Sequence, residues 1–274
     1  MSRVNPEPGR STVTAPARPH RSDPPHRLAR RVLAELVGTA FLVATVIGSG
    51  IAAQRLSPGD VGVQLLQNSV ATGAALVALI LALQPVSAAF NPVVTLVERA
   101  LGVLSTRQAA GLVLAQVAGG CLGAVTANLM FDLPAVDVSN HPRGGGGVWL
   151  GEVIATLGLI VVIFGVVRSG RSAAVPYAVG GYITAAYWFT SSTSFTNPAV
   201  TLARSLSDTF AGIAPESVAM FVLMQLLGGG AAYGLVRLLY PDPARLAEQL
   251  TSSDLARSPS LPSTLAEDHR WPHP

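Results

Sequence analysis

Lysine is absent from this chain of 274 residues, cysteine occurs once, and only 12 % of the residues are charged. The missing lysine, with all 18 basic residues arginine, reads as base-composition bias and not as function. The single Cys121 lies in an apolar run, which excludes a disulfide framework and makes it a small packing residue. A soluble domain carries about 25 % charged residues. Here half of the residues are hydrophobic and the mean hydropathy is +0.47, which places the chain in the membrane class. His20, His26, His141, His269 and His273 lie in tails or a loop without metal-ligand spacing. No nucleophile constellation falls within the membrane. Gly144–Gly147 lacks the G-K-[ST] ending of a phosphate loop and reads as a flexible outer loop. No metal, cofactor or enzymatic activity is therefore expected. The net charge of +3 comes from the N-terminal tail and gives no ground for a nucleic-acid partner.

What is present is apolar helix. Residues 1–28, rich in Pro, Arg and Ser, read as a disordered basic cytoplasmic tail, and residues 241–274 as a polar cytoplasmic one. Between them, residues 29–240 form one membrane domain. Apolar runs near 30–53, 62–83, 106–130, 148–168, 173–191 and 216–240 each suffice to cross the roughly 30 Å hydrocarbon core. The first run is too long for a signal h-region and is read as a transmembrane helix. Two further apolar pieces, starting at Asn91 and Asn197, are each about 12 residues, or about 18 Å of helix, and reach only about halfway. Arginines alternate between rich connections (the N-tail, Arg99 with Arg107, Arg168 with Arg171, Arg237 with Arg245) and connections with one each (Arg55, Arg143, Arg204). The rich set is assigned to the cytoplasm, so both termini lie inside.

The chain also repeats itself. Glu35-Leu-Val-Gly-Thr39 resembles Glu152-Val-Ile-Ala-Thr156, Asn91-Pro-Val-Val-Thr95 resembles Asn197-Pro-Ala-Val-Thr201, and Gln116-Val-Ala-Gly-Gly120 resembles Gln225-Leu-Leu-Gly-Gly229. The order is the same twice, at offsets of 117, 106 and 109 residues. The repeats span about 29–130 and 148–240. Each holds three spans, so the second enters the membrane inverted, a design that puts a site at the midplane between discontinuous helices. Asn is a strong N-cap and Pro loses no hydrogen bond in the first helical turn, so both Asn-Pro strings start short helices. Their converging positive dipole ends make a barrier to cations and protons, while the Asn amides donate to a passing neutral solute.

These strings, with Ala34-Glu35-x-x-Gly38-Thr39, Gln116, Glu152 and Gln225, resemble the major intrinsic protein family, the aquaporins and aquaglyceroporins, over residues 30–240. The resemblance implies an all-α membrane fold of six transmembrane helices plus two re-entrant half-helices, one pore per subunit, and a homotetramer in the lipid bilayer. It implies that Asn91, Pro92, Val93 and Asn197, Pro198, Ala199 form the paired pore motifs, and that Glu35 and Glu152 hold loop backbone. Two departures stand out. The first motif is N-P-V after a loop, Val86–Phe90, that looks one residue short, so Val93 bears on the pore width. The Arg that follows the second motif in most members is Val200 here. With Ser194, and Thr72 and Ala185 as the matching positions on the second and fifth spans, the filter is small and uncharged. Such widened filters resemble channels for glycerol or neutral metalloid acids such as arsenous acid, besides water. Arg204 lies one turn beyond Val200. It reads first as a solvent-facing residue that complements the helix dipole, and second as a replacement for the missing charge. Gly119-x-x-x-Gly123 and Gly230-x-x-x-Gly234 suit close helix packing. Tyr187, Trp188 and Phe189 read equally as pore lining or interfacial anchors. A water-selective pore and an inverted-repeat secondary transporter are the alternatives to a solute channel in a plasma or inner membrane.

Overall fold

The structure is a computed structural model that describes residues 25–241. Of the tails expected at 1–28 and 241–274, residues 1–24 and those after 241 lie outside the described residues. Among those described the chain is helix and loop, without strands: α1 (Pro25–Leu56), α2 (Val61–Leu83), α3 (Pro92–Ala100), α4 (Thr106–Met130), α5 (Gly146–Arg168), a 3-10 turn (Ser172–Ala174), α6 (Val175–Phe189), α7 (Pro198–Arg204) and α8 (Pro215–Leu239). Residues 25–28, expected in the tail, instead open α1, where Pro25 has no N–H to leave unpaired.

α1, α2, α4, α5 and α8 are each long and apolar enough to cross a membrane. The sixth span differs from the expected 173–191. α6 has 15 residues, about 22 Å of helix, and the 3-10 turn precedes it. Thr190 ends it: its Oγ1 donates to Ala186 O at 2.7 Å, and its own backbone is extended, which sends the chain inward towards Asn197. The half-helices are shorter than expected, nine residues in α3 and seven in α7. After α3, Gly102 adopts φ +82, the left-handed conformation that terminates helices.

The two repeats pack alike. α1 lies against α2 and α4, and α5 against α6 and α8. α2 and α6 join the halves, and their backbones touch at Gly73 and Gly180, where an added Cβ on either would strike the other's carbonyl oxygen. Gly119 lies against Leu36 O and Gly123 against Ala40 O, so α1 and α4 meet at backbone distance. In the second repeat the expected Gly230 and Gly234 pair does no such packing, since both face open space. Gly228 takes that role against Val153 O, the counterpart of Leu36. Gly120 and Gly229 receive the half-helix of the opposite repeat: Gly120 meets Ala199 O and Ala203, and Gly229 meets Val93.

Candidate functional site

The half-helices begin face to face. Asn91 Oδ1 accepts from Val93 N at 2.9 Å, and Asn197 Oδ1 from Ala199 N at 3.0 Å and Val200 N at 3.3 Å. Each side chain is an N-cap, and Pro92 and Pro198 take the first helical positions. The amide ends cross between repeats: Asn91 Nδ2 donates to Thr196 O at 2.8 Å and Asn197 Nδ2 to Phe90 O at 2.7 Å. Phe90 and Thr196 reach this arrangement with φ +48 and +51, a conformation that non-glycine residues adopt only when surroundings hold them there. One amide hydrogen of each Asn thus locks the loops, and the second makes no bond among the described residues.

What holds the loops is a pair of buried carboxylates. Glu35 Oε1 accepts from Ser87 Oγ at 2.5 Å and Ala89 N at 2.9 Å, and its Oε2 from Phe90 N at 2.7 Å and Gln116 Nε2 at 2.8 Å. Glu152 accepts from Phe195 N at 2.9 Å, Thr196 N at 3.0 Å and Gln225 Nε2 at 2.6 Å. Each Gln also donates to a half-helix threonine, Gln116 to Thr95 at 2.9 Å and Gln225 to Thr201 at 2.8 Å. Both glutamates are fully buried, and these donors offset the desolvation of each charge.

A cavity of about 220 Å³ runs between the repeats, from Arg31 and Glu98 at one end to Ser194 and Arg204 at the other. Its walls are rows four residues apart: Leu42 and Val46 on α1, Thr72, Leu76 and Ile80 on α2, Leu159, Ile163 and Val167 on α5, and Val179, Ile183 and Tyr187 on α6. Asn91 and Asn197 lie in the wall, with Val94 and Val200 beyond them on the half-helices. The wall is therefore mostly aliphatic, with a few polar groups.

Several of the expected residues come together at the Arg204 end, and one does not. Thr72, Ser194 and Val200 all line the cavity. Ala185 is exposed on the outside of α6, because the cavity-facing row of that helix passes through Ile183 and Tyr187. Tyr187 lines the cavity instead, with its OH 3.2 Å from Thr72 Oγ1. Trp188 and Phe189 are exposed. The spacing Val179, Ile183, Tyr187 was the sequence signal for this row. Val93 does not line the cavity; it is buried against Gly229 of α8, as Ala199 is against Gly120. Its extra methyls fill space behind the half-helix and leave the bore unchanged.

Arg204 is not solvent-facing. It is 3 % exposed, lines the cavity, stacks its guanidinium 3.5 Å from the Phe195 ring centroid, and donates from Nε to Ala211 O. Arg143 approaches the same ring at 5.1 Å and donates to Gly212 O at 2.8 Å and Phe210 O at 3.2 Å. Three successive carbonyls, those of residues 210–212, therefore tether two guanidinium groups around Phe195. Burial lowers the affinity of Arg143 for its proton below the ordinary arginine value, while Tyr187 and Glu152 pull the other way. No cluster of His, Cys, Asp and Glu able to hold a metal occurs among the described residues.

The model of the family described as "Major intrinsic protein" matches residues 25–194. The aquaglyceroporin AqpS of Rhizobium meliloti is 50 % identical over 230 residues, covering 84 % of this chain and 97 % of that protein. Aquaporin Z of Rhodopseudomonas palustris is 29 % identical over 235 residues, covering 80 % of this chain and 96 % of that one. Among solved structures, the aquaglyceroporin from Plasmodium falciparum superposes with a TM-score of 0.63 at 18 % identity, covering 80 % of this chain and 99 % of its own, a likeness of fold. With six spans, two facing half-helices and a cavity between them, the chain belongs to the major intrinsic protein family and is a passive membrane channel for small solutes, not an enzyme.

Proposed function

We propose that this channel is aquaglyceroporin-like and carries glycerol, water and neutral metalloid acids such as arsenous acid. The observation that carries the reading is the filter position after the second Asn-Pro-Ala, where Val200 faces the cavity beside Ser194 and Thr72. An aliphatic side chain there gives a carbon backbone of glycerol an apolar track, while hydroxyls opposite accept and donate. The 50 % identity to a protein named an aquaglyceroporin supports it. The pore motifs in this reading are Asn91-Pro92-Val93 and Asn197-Pro198-Ala199, with Glu35 and Glu152 as loop supports. Tyr187 takes the filter position first expected at Ala185. The channel sits in the plasma or inner membrane with both termini cytoplasmic, as the arginine distribution indicates, and the family resemblance implies a homotetramer. The Arg204 end is then the outer mouth.

Stopped-flow light scattering on proteoliposomes tests this, with water, glycerol and arsenous acid compared in one preparation. Fast uptake of glycerol and arsenous acid, without saturation at modest concentration, is expected. Water flux alone would replace this reading with a water-selective pore. Saturation together with a response to an imposed ion gradient would replace it with a secondary transporter. Glu35 and Glu152 argue against coupling, since their oxygens already hold loop N–H groups.

A further inference from the structure

A guanidinium buried in a pore wall demands a reason, because a charge removed from water is costly unless paired. Arg204 forms no ion pair with a carboxylate among the described residues. Its Nε has Ala211 O and its π-face has Phe195, but its two Nη groups make no hydrogen bond among the described residues. Nor are they sealed off: they keep a small accessible surface in the cavity wall. The geometry that puts them there is helical. Side chains on a helix lean towards its N-terminus. An arginine four residues after Val200 therefore folds back along α7, and its guanidinium comes to rest on Phe195, two residues before Asn197. The charge thus returns to the depth of the loop that enters the pore motif. Ser194 carries the second independent sign. Ser194 lines the same cavity, and its hydroxyl, sealed just beneath that wall, has no partner among the described residues, so a turn about χ1 is what presents it to a solute.

We propose that Arg204, held back on Phe195 and tethered by the 210–212 carbonyls, is the charged selectivity element of this channel, and that with Ser194 it hydrogen-bonds uncharged polyhydroxyl solutes while repelling cations. The inference rests on the channel reading above and adds the residues that discriminate. Four N–H bonds in a rigid fork suit two oxygens of one solute, as on neighbouring carbons of a polyol. Because the guanidinium is laid flat on an aromatic face beside the wall, it contributes charge without closing the bore. A pore with Val200 is thereby wide and still positive at its mouth.

The test uses full-length protein reconstituted in liposomes and planar bilayers, with Arg204→Gln, Arg204→Lys and Ser194→Ala. A monovalent cation passing at about 7 Å, in an effective dielectric of about 20, meets a barrier equivalent to about a fiftyfold change in occupancy. Arg204→Gln keeps a donor for Ala211 O but no charge. It is expected to raise sodium conductance by roughly that factor and to lower glycerol flux relative to water. Arg204→Lys retains the charge but loses the fork, so it should stay electrically silent while its glycerol-to-water ratio falls. Ser194→Ala removes a hydroxyl that bonds nothing among the described residues. It should fold normally, stay silent, and carry glycerol several-fold more slowly relative to water. If the wild type passes neither glycerol nor water, the channel reading itself fails. If the wild type conducts solutes and folded Arg204→Gln leaves both current and flux ratio unchanged, the inference about Arg204 alone is overturned. Failure of Arg204→Gln to assemble, with Arg204→Lys matching the wild type in flux ratio, likewise overturns it and makes Arg204 a structural tether. An unchanged ratio in Ser194→Ala removes Ser194 from recognition.

Discussion

Val93 and Gly229 form a contact whose breakage and repair are both measurable. A Cβ built on Gly229 comes within 3.0 Å of Val93 Cγ1, closer than real Cβ contacts. A helical valine is confined to one χ1 well about nine times in ten, so Val93 cannot turn away. Gly229→Ala then overpacks the seam between α3 and α8, at about 1–3 kcal/mol. Val93→Ala removes two methyl-sized groups and leaves a void, at about 1.5–3 kcal/mol from lost burial and cavity together. The double variant exchanges the two and should lie within about 1 kcal/mol of wild type, a coupling of at least about 1.5 kcal/mol. Thermal unfolding of the detergent-solubilised protein reads this out, since about 2–4 °C accompanies each kcal/mol in a chain of this size. Flux carries the second half of the prediction: because Val93 faces away from the cavity, Val93→Ala should leave the glycerol-to-water ratio unchanged. Additive losses of stability, or a shift of that ratio in Val93→Ala, would refute the placement of this side chain behind the pore.

Glu152→Gln should lower the thermal midpoint by removing an acceptor from Phe195 N, Thr196 N or Gln225 Nε2, since one buried donor left unpaired costs about 1–3 kcal/mol; a midpoint equal to wild type would dismiss the carboxylate as loop support. Asn197→Asp puts a negative charge between the half-helix starts, and planar-bilayer recording should then detect cation current where wild type has none. Val200→Arg should reduce glycerol flux more than water flux in stopped-flow assays, with equal reduction counting against Val200 as a filter residue. At the Arg204 end, Asp208 accepts from Asn140 N at 2.8 Å and Asn140 Nδ2 at 3.2 Å, and lies 3.5 Å from His141 Nε2. The Asn140 backbone N–H foremost, then its amide and His141, hold the Asp208 carboxyl below the usual range. A depressed folded value means that this clasp stabilises the loop above the ordinary carboxylate pKa of about 4 and is lost as pH falls through the lower value. Hydrogen exchange of the Asn140 amide, corrected for its intrinsic rate, should stay slow in mild acid for wild type and be fast throughout for Asp208→Ala, which removes the acceptor.

Most of the fold was legible because the same physics is written twice. Apolar runs give the spans, and Asn-Pro gives a capped helix start at a depth where irregular backbone needs a cavity. The matched Glu and Gln landmarks mark the polar clamps that such loops require. Helix ends were less legible. Residues 25–28 look polar yet extend α1, and α6 stops at Thr190 because the chain must turn inward, a requirement set by the loop and not by local preference. The site failed where rotation about a helix axis decides. α6 is apolar on its outer faces as well, so nothing in composition separates Ala185 from Tyr187; only the four-residue row does. Val93 sits next to a pore asparagine in sequence but on the far side of α3 in space. Arg204 was read by the rule that a charge at a helix end seeks water, and that rule gives way when an aromatic face and backbone carbonyls lie within reach.

The repeats also explain where this channel is free to specialise. Leu42 and Leu159, Val46 and Ile163, and Val94 and Val200 are equivalent positions, and all six line the cavity. The asparagine locks and glutamate clamps are equivalent too, so the centre is built by symmetry and tolerates little change in either half. One step further out, the equivalence breaks. Glu98 on α3 and Arg204 on α7 occupy the same repeat position and both line the cavity, with opposite charge. An inverted repeat places those two at opposite ends of the bore. Each end can therefore change its charge without disturbing the shared centre, and a positive group lost directly after the second motif can be regained one turn along the same half-helix. On the reading proposed above, selectivity belongs to the ends, where the repeats differ, and stability to the middle, where they match.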